Sequence, residues 1–86
     1  MGIADEIRSY QKEKMIIGSR KTIKYLKLGK ITKVYLANNV PEDILEDIIY
    51  YARLANAEVK KTDLSNVELG ILLKKPFKIS VIGILK

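Results

Sequence analysis

Apolar residues follow two alternating rhythms along this chain. Ile3, Ile7 and Tyr10 recur at helical spacing and predict a helix over residues 3–13. Met15-Ile16-Ile17 is a short continuous apolar run stopped by Gly18, the pattern of a buried strand. Ser19 is then the expected cap of a second helix reaching Leu28, with Gly29 as its stop and Ile23 and Leu26 facing the core. Val34-Tyr35-Leu36-Ala37 reads as the second strand and Asn38-Asn39 as the turn after it. Pro41 at a first helical position, followed by Glu42 and Asp43, opens a third helix in the sense its dipole prefers. Ile44, Leu45, Ile48, Ile49, Ala52 and Ala55 form its apolar stripe. Val59 marks a third strand, Asp63 or Ser65 caps a fourth helix running to about Leu73, and residues 79–85 form the last strand.

Strands that are apolar on both sides and separated by helices need cover on both faces of their sheet. The expected fold class is therefore α/β, a three-layer α/β/α sandwich with a small mixed four-stranded sheet. The pattern leaves open where an antiparallel pairing falls. No low-complexity linker or internal repeat divides the 86 residues, so residues 1–86 read as one domain. A domain of this size buries only about 60–65% of its unfolded surface, which leaves little room for a deep substrate cavity beside the core.

Composition removes several kinds of chemistry. The chain has no Cys and no His, which excludes disulfides, thiolate metal sites and Ser-His or Cys-His nucleophile pairs. No metal, cofactor or catalytic residue is expected. Glu42, Asp43, Glu46 and Asp47 mimic an acid–base cluster, but at a helix start they read as charge complementing the dipole. The opening segment Met1-Gly2-Ile3-Ala4-Asp5-Glu6 has early acids and no apolar run, so no signal peptide is expected. Nor does any stretch approach the ~20 apolar residues of a spanning helix. Gly2 does not make a myristoylation signal, because Glu6 stands at the usual Ser/Thr place. A cytoplasmic protein without a membrane partner is expected.

Charge then narrows the class of partner. Sixteen Lys and Arg against ten Asp and Glu give a net charge of +6 and a pI near 9.6. Solubility alone is the plainer explanation of such a balance; a polyanionic partner is the sharper one. The distribution favours the second. From Gly18 to Lys33 there are six cations, Arg20, Lys21, Lys24, Lys27, Lys30 and Lys33, and no acid. Arg20, Lys24 and Lys27 share one side of the predicted helix, opposite Ile23 and Leu26. Cations at a helix N-terminus oppose the dipole, yet free N–H groups there make an anion site. A phosphate between the two reconciles them. In Lys74-Lys75-Pro76-Phe77-Lys78, the only Phe of the chain is framed by cations, which suits stacking on an unpaired base. The plainer reading has Phe77 starting the last strand and pointing inward. Asn38-Asn39 suits a left-handed turn, and also suits reading a base edge. Tyr35, Tyr50 and Tyr51 read as structural.

These segments carry a resemblance. Gly18-Ser19-Arg20-Lys21-Thr22-Ile23-Lys24 is similar to the helix-start signature of the kink-turn RNA-binding superfamily. Three further stretches narrow the resemblance to its archaeal and eukaryotic large-subunit ribosomal branch, "L thirty e". They are Glu46-Asp47-Ile48-Ile49-Tyr50-Tyr51-Ala52-Arg53-Leu54, Val67-Glu68-Leu69-Gly70 with Leu72-Leu73, and Lys75-Pro76-Phe77-Lys78-Ile79. The resemblance implies the same α/β/α sandwich and no enzymatic activity. It implies a structural component of the large ribosomal subunit, a monomer off the ribosome with room for contacts to neighbouring ribosomal proteins. Its partner would be rRNA, a bent kink-turn-like internal loop with sheared G·A pairs. Gly18, Ser19, Arg20, Lys21 and Lys24 would hold the bent backbone and the G·A stem, Asn39 a loop base, and Pro76 with Phe77 an unstacked nucleotide. Lys27, Asn38, Lys75 and Lys78 complete the expected RNA-binding set.

Two departures accompany the resemblance. The "L seven Ae" branch carries Asn-Glu where this chain has Arg20-Lys21, which tilts that pair toward backbone contact. The sequence also ends at Lys86, directly after the last predicted strand, without the short tail of many relatives. The alternative role is a stand-alone kink-turn adaptor of a guide-RNA or tRNA-processing particle. A small nucleotide-handling enzyme would need an acid–base pair or a longer glycine-rich loop, and neither is present. An interaction module using the acidic third helix is the remaining alternative.

Overall fold

The computed structural model describes residues 2–86; Met1, part of the N-terminal segment read above, lies outside them. The elements run α1 (Ile3–Arg8), β1 (Met15–Ile17), α2 (Ser19–Lys27), β2 (Ile31–Leu36), α3 (Glu42–Ala55), β3 (Glu58–Lys61), α4 (Asn66–Leu72) and β4 (Val81–Leu85), with a single 3₁₀ turn at Lys12–Lys14. The sheet order is β1-β4-β2-β3. β4 pairs antiparallel with both β1 and β2, whereas β3 runs parallel to β2 after the α3 crossover. The sheet is thus mixed, and its last strand is central.

β1, β2 and β4 each feed two cores because successive side chains point to opposite faces, while β3 adds Val59 to one of them. Val34, Leu36 and Val81 pack with Leu26 of α2 and Ile48 and Ala52 of α3. Tyr35, Ala37, Ile82 and Ile84 pack with Ile7 of α1 and Leu69 of α4. This is the three-layer α/β/α sandwich that the hydrophobic pattern implied. A register shift between Ile31 and Lys33 lets Ile31 join Val34 on the α2/α3 side while Lys33 turns to the other.

Several boundaries differ from expectation. The first helix ends at Arg8, not near residue 13. Ser9 Oγ donates to the Glu6 carbonyl at 2.6 Å, a local bond that competes with helix continuation. Tyr10 then meets Tyr35 from outside the helix, ring centroids 6.1 Å apart. β2 begins at Ile31, since the bulge hid its alternation, and Ala37 lies just beyond its end. β4 begins at Val81, two residues later than expected. Pro41 is the N-cap of α3 and not its first residue, and Ile49 lies at the edge of the stripe, partly exposed. Ser65, not Asp63, caps α4, in a reciprocal box with Glu68.

One polar cluster ties α1 to the sheet. The Glu6 carboxylate accepts from the Tyr35 hydroxyl, from Lys33 Nζ at 2.9 Å and from Lys60 Nζ at 3.2 Å. Those three bonds hold its pKa down at about 2. Burial, aided by the bond to Glu6, pushes the Tyr35 hydroxyl upward.

Candidate nucleic-acid interface

Three separate stretches converge on the lead-in to β4, residues 79–81. The Gly18 N–H donates to the Val81 carbonyl at 3.0 Å, and the Ala37 N–H to the Ser80 carbonyl at 2.9 Å. Asn39 exchanges two hydrogen bonds with Asn66, whose carbonyl accepts from the Ile79 N–H at 3.0 Å. The start of α2, the β2–α3 turn and the start of α4 are therefore held to one short piece of backbone at the end of the α4–β4 loop.

The helix start is shaped by Gly18. Its φ of 110° and ψ of 148° lie where L side chains rarely go. Gly18, not Ser19, is the N-cap of α2; Ser19 is the first helical residue and makes no side-chain cap bond. The expectation that Ser19 caps the helix is corrected on that point. The reason is that Gly18 turns the chain out of β1 and presents its carbonyl to the Thr22 N–H at 3.2 Å. The N–H groups of Ser19, Arg20 and Lys21 find no acceptor among the described residues. Arg20, Lys21 and Lys24 are exposed around them, with no acid in the first turn. α2 ends at Lys27, one residue short of the expected Leu28, and Gly29 stops it just beyond its end as expected, its N–H reaching the Leu26 carbonyl at 3.0 Å.

The opposite wall is the loop after α4. Lys74 adopts a left-handed φ of 57°, and the N–H groups of Lys74 and Lys75 return to the carbonyls of Ile71 and Gly70 at 3.0 and 2.9 Å. The loop then folds back so tightly that a Cβ on Gly70 would collide with the Phe77 carbonyl oxygen. Phe77 is 54% exposed. The inward position belongs to Ile79 instead, so the plainer reading of Phe77 does not hold. Between the walls lies a cleft of about 500 Å³, with Gly18, Ser19 and Lys21 facing Lys75, Phe77 and Lys78. On the far side of the loop, Val67 and Ile71 join Pro76 and Phe77 in a shallower groove.

Of the expected set, Arg20, Lys24, Asn39 and Pro76 lie outside the lining of this cleft, and Lys27 and Asn38 are engaged elsewhere. Lys27 is at the other end of α2, its Nζ 4.9 Å from the centre of the Tyr51 ring. Asn38 serves the fold: its N–H donates to Leu64 at 2.8 Å and its Nδ2 to Asp63 at 3.1 Å. Three residues escaped sequence reasoning. Asn66 is visible only once the fold brings it to Asn39. Val67 and Ile71 carried a readable signal, an i,i+4 apolar pair on the side of α4 away from Leu69.

Among the described residues, no group of three Cys, His, Asp or Glu is placed to hold a metal, and no helix is long and apolar enough to cross a membrane.

The chain is 42% identical over 72 residues to large ribosomal subunit protein eL30 of Methanocaldococcus jannaschii, which is 84% of this chain and 66% of that one. It is 41% identical over 81 residues to the eL30 of Saccharolobus solfataricus, 93% of this chain and 75% of that one. The chain thus spans about two thirds to three quarters of the length of these relatives. Among solved structures, the fold superposes on a protein with unknown function from Bacillus halodurans C at a TM-score of 0.77 and 20% identity, covering 99% of this chain and 79% of that one. It superposes on the Giardia lamblia 15.5kD RNA binding protein at 0.76 and 19%, covering 86% and 62%. The ribosomal protein L7Ae/L30e/S12e/Gadd45 family matches residues 2–86, nearly end to end, and the chain belongs to that family.

Proposed function

We propose that this chain is a non-enzymatic RNA-binding protein of the large ribosomal subunit, gripping a sharply bent, kink-turn-like rRNA element. One observation carries the reading. The glycine-led helix start with its unpartnered N–H groups faces the exposed Phe77 across a basic cleft. Its relatives are named as large-subunit ribosomal proteins, and a protein of the same fold is named as RNA-binding.

Each wall has its own task. The N–H groups of Ser19, Arg20 and Lys21 take a phosphate at the tip of the bend, and Arg20, Lys21 and Lys24 neutralise its neighbours. Phosphate contacts position the RNA without reading it. Selectivity comes from shape, from Phe77 with Pro76 on an unstacked base, and from Asn39 beside the cleft. Lys75 and Lys78 neutralise the backbone of the stacked nucleotide. Lys27 extends the basic face along α2.

Gradient sedimentation of cell extract tests the role. The tagged chain should travel with the large ribosomal subunit and leave it at high salt. Migration with small guide-RNA particles would assign it to the adaptor role, and migration free of RNA would exclude both.

A further inference from the structure

A second pocket lies across Lys75 from the cleft and encloses about 510 Å³, within the range of small-ligand sites. It opens because the turn ending α1 at Arg8 leads the chain back to the edge strand β1, where Met15 and Ile17 stay only half-buried. These two residues and Leu72 and Leu73 make an apolar floor, and Tyr10 stands at the side, braced by Tyr35. The rim is entirely cationic: Arg8, Lys12, Lys74 and Lys75, with no carboxylate in the lining.

Two observations say what fits. Lys74 holds a left-handed φ of 57° at the end of α4, a place that favours glycine. A lysine kept there at a backbone cost supplies a charge to this rim, and an outlier of that kind points to function. Ile17 and Lys75 also line the cleft at Gly18, so the two hollows are contiguous. A strand held in the cleft reaches this pocket across the two shared residues, Ile17 and Lys75.

We infer that this pocket takes one unpaired nucleotide of the RNA strand leaving the bent element, its base on the apolar floor beside Tyr10 and its phosphates among Arg8, Lys12 and Lys74. The inference rests on the RNA-binding reading above. Contiguity with the cleft favours a nucleotide over an acidic peptide.

The test compares a blunt-ended bent RNA with the same RNA carrying a short single-stranded uridine extension on either strand. One of the two extensions should tighten binding about tenfold. Arg8→Gln and Lys12→Gln should each remove that gain while leaving the blunt RNA within about twofold of wild type. Both side chains are exposed, so the Tm of each variant should stay within a few degrees of wild type, which separates a lost contact from a lost fold. Failure of wild type to bind the blunt RNA would overturn the RNA reading itself. Equal wild-type affinities for blunt and extended RNAs would overturn the pocket alone, as would a gain that survives both substitutions. Saturable binding of an acidic leucine-rich peptide with no extension gain would assign the pocket to a protein.

Discussion

Asn39 and Asn66 form a reciprocal pair: Asn39 Nδ2 donates to Asn66 Oδ1 at 3.1 Å, and Asn39 Oδ1 accepts from the Asn66 N–H at 2.9 Å. Asn39 is therefore aimed before any ligand arrives, with one amide hydrogen and one lone pair still free for a base edge. Asn39→Ala should lower both thermal stability and selectivity for bent RNA. Asn66→Ala, which removes the acceptor for Asn39 Nδ2 but keeps the bond from the residue 66 backbone N–H, should lose part of the same selectivity. Unchanged selectivity in both variants would remove Asn39 from the site.

Phe77 is exposed and contributes little to the core. Phe77→Ala should weaken binding to bent RNA by about 1–3 kcal/mol, the worth of a stacked base, while Tm stays within a few degrees. A variant that melts early but binds normally would make Phe77 structural.

Gly18 answers to conformation and not to crowding, since nothing lies within 4 Å of a Cβ placed there. Gly18→Ala should still cost about 1–3 kcal/mol, because φ 110° and ψ 148° are strained for any L residue. For a domain this size each kcal/mol is roughly 4–8 °C in Tm, which differential scanning calorimetry resolves.

Much of this was legible in the sequence. Every strand and helix was anticipated in order, because two-sided apolar strands and one-sided helices leave different periods. Several boundaries were not, and two of them have plain local reasons. Ser9 diverts its hydroxyl to the Glu6 carbonyl and ends α1, while the bulge at residues 31–33 masks the start of β2. Of the site, Gly18 to Lys24 and Lys75 to Lys78 were readable because charge and glycine spacing are local properties. The Asn39–Asn66 pair joins residues 27 apart in sequence, and the Glu6 cluster joins residues up to 54 apart. No local pattern encodes those contacts.

The Glu6 cluster sets an acid limb to stability. The carboxylate is held at a pKa of about 2 in the fold, below its ordinary value near 4.5. A depressed pKa stabilises the fold above the unfolded value, and that contribution is lost as pH falls through the folded one. Wild type should therefore lose Tm between about pH 4.5 and 2 more steeply than Glu6→Gln, which should be the less stable protein at neutral pH. Parallel Tm–pH curves for the two would show that the cluster contributes nothing.

The most direct measurement is a titration against a bent RNA with tandem sheared G·A pairs and a control with those pairs disrupted, at two salt concentrations. Bent RNA should bind more tightly at both salts, with affinity falling by about 0.7–0.9 of a log unit per log unit of salt for each phosphate contact. Arg20→Ala or Lys24→Ala should weaken both RNAs alike and lower that slope by about one. Equal affinity of the wild-type chain for the two RNAs would contradict the assignment and leave only generic attraction between a basic surface and a polyanion.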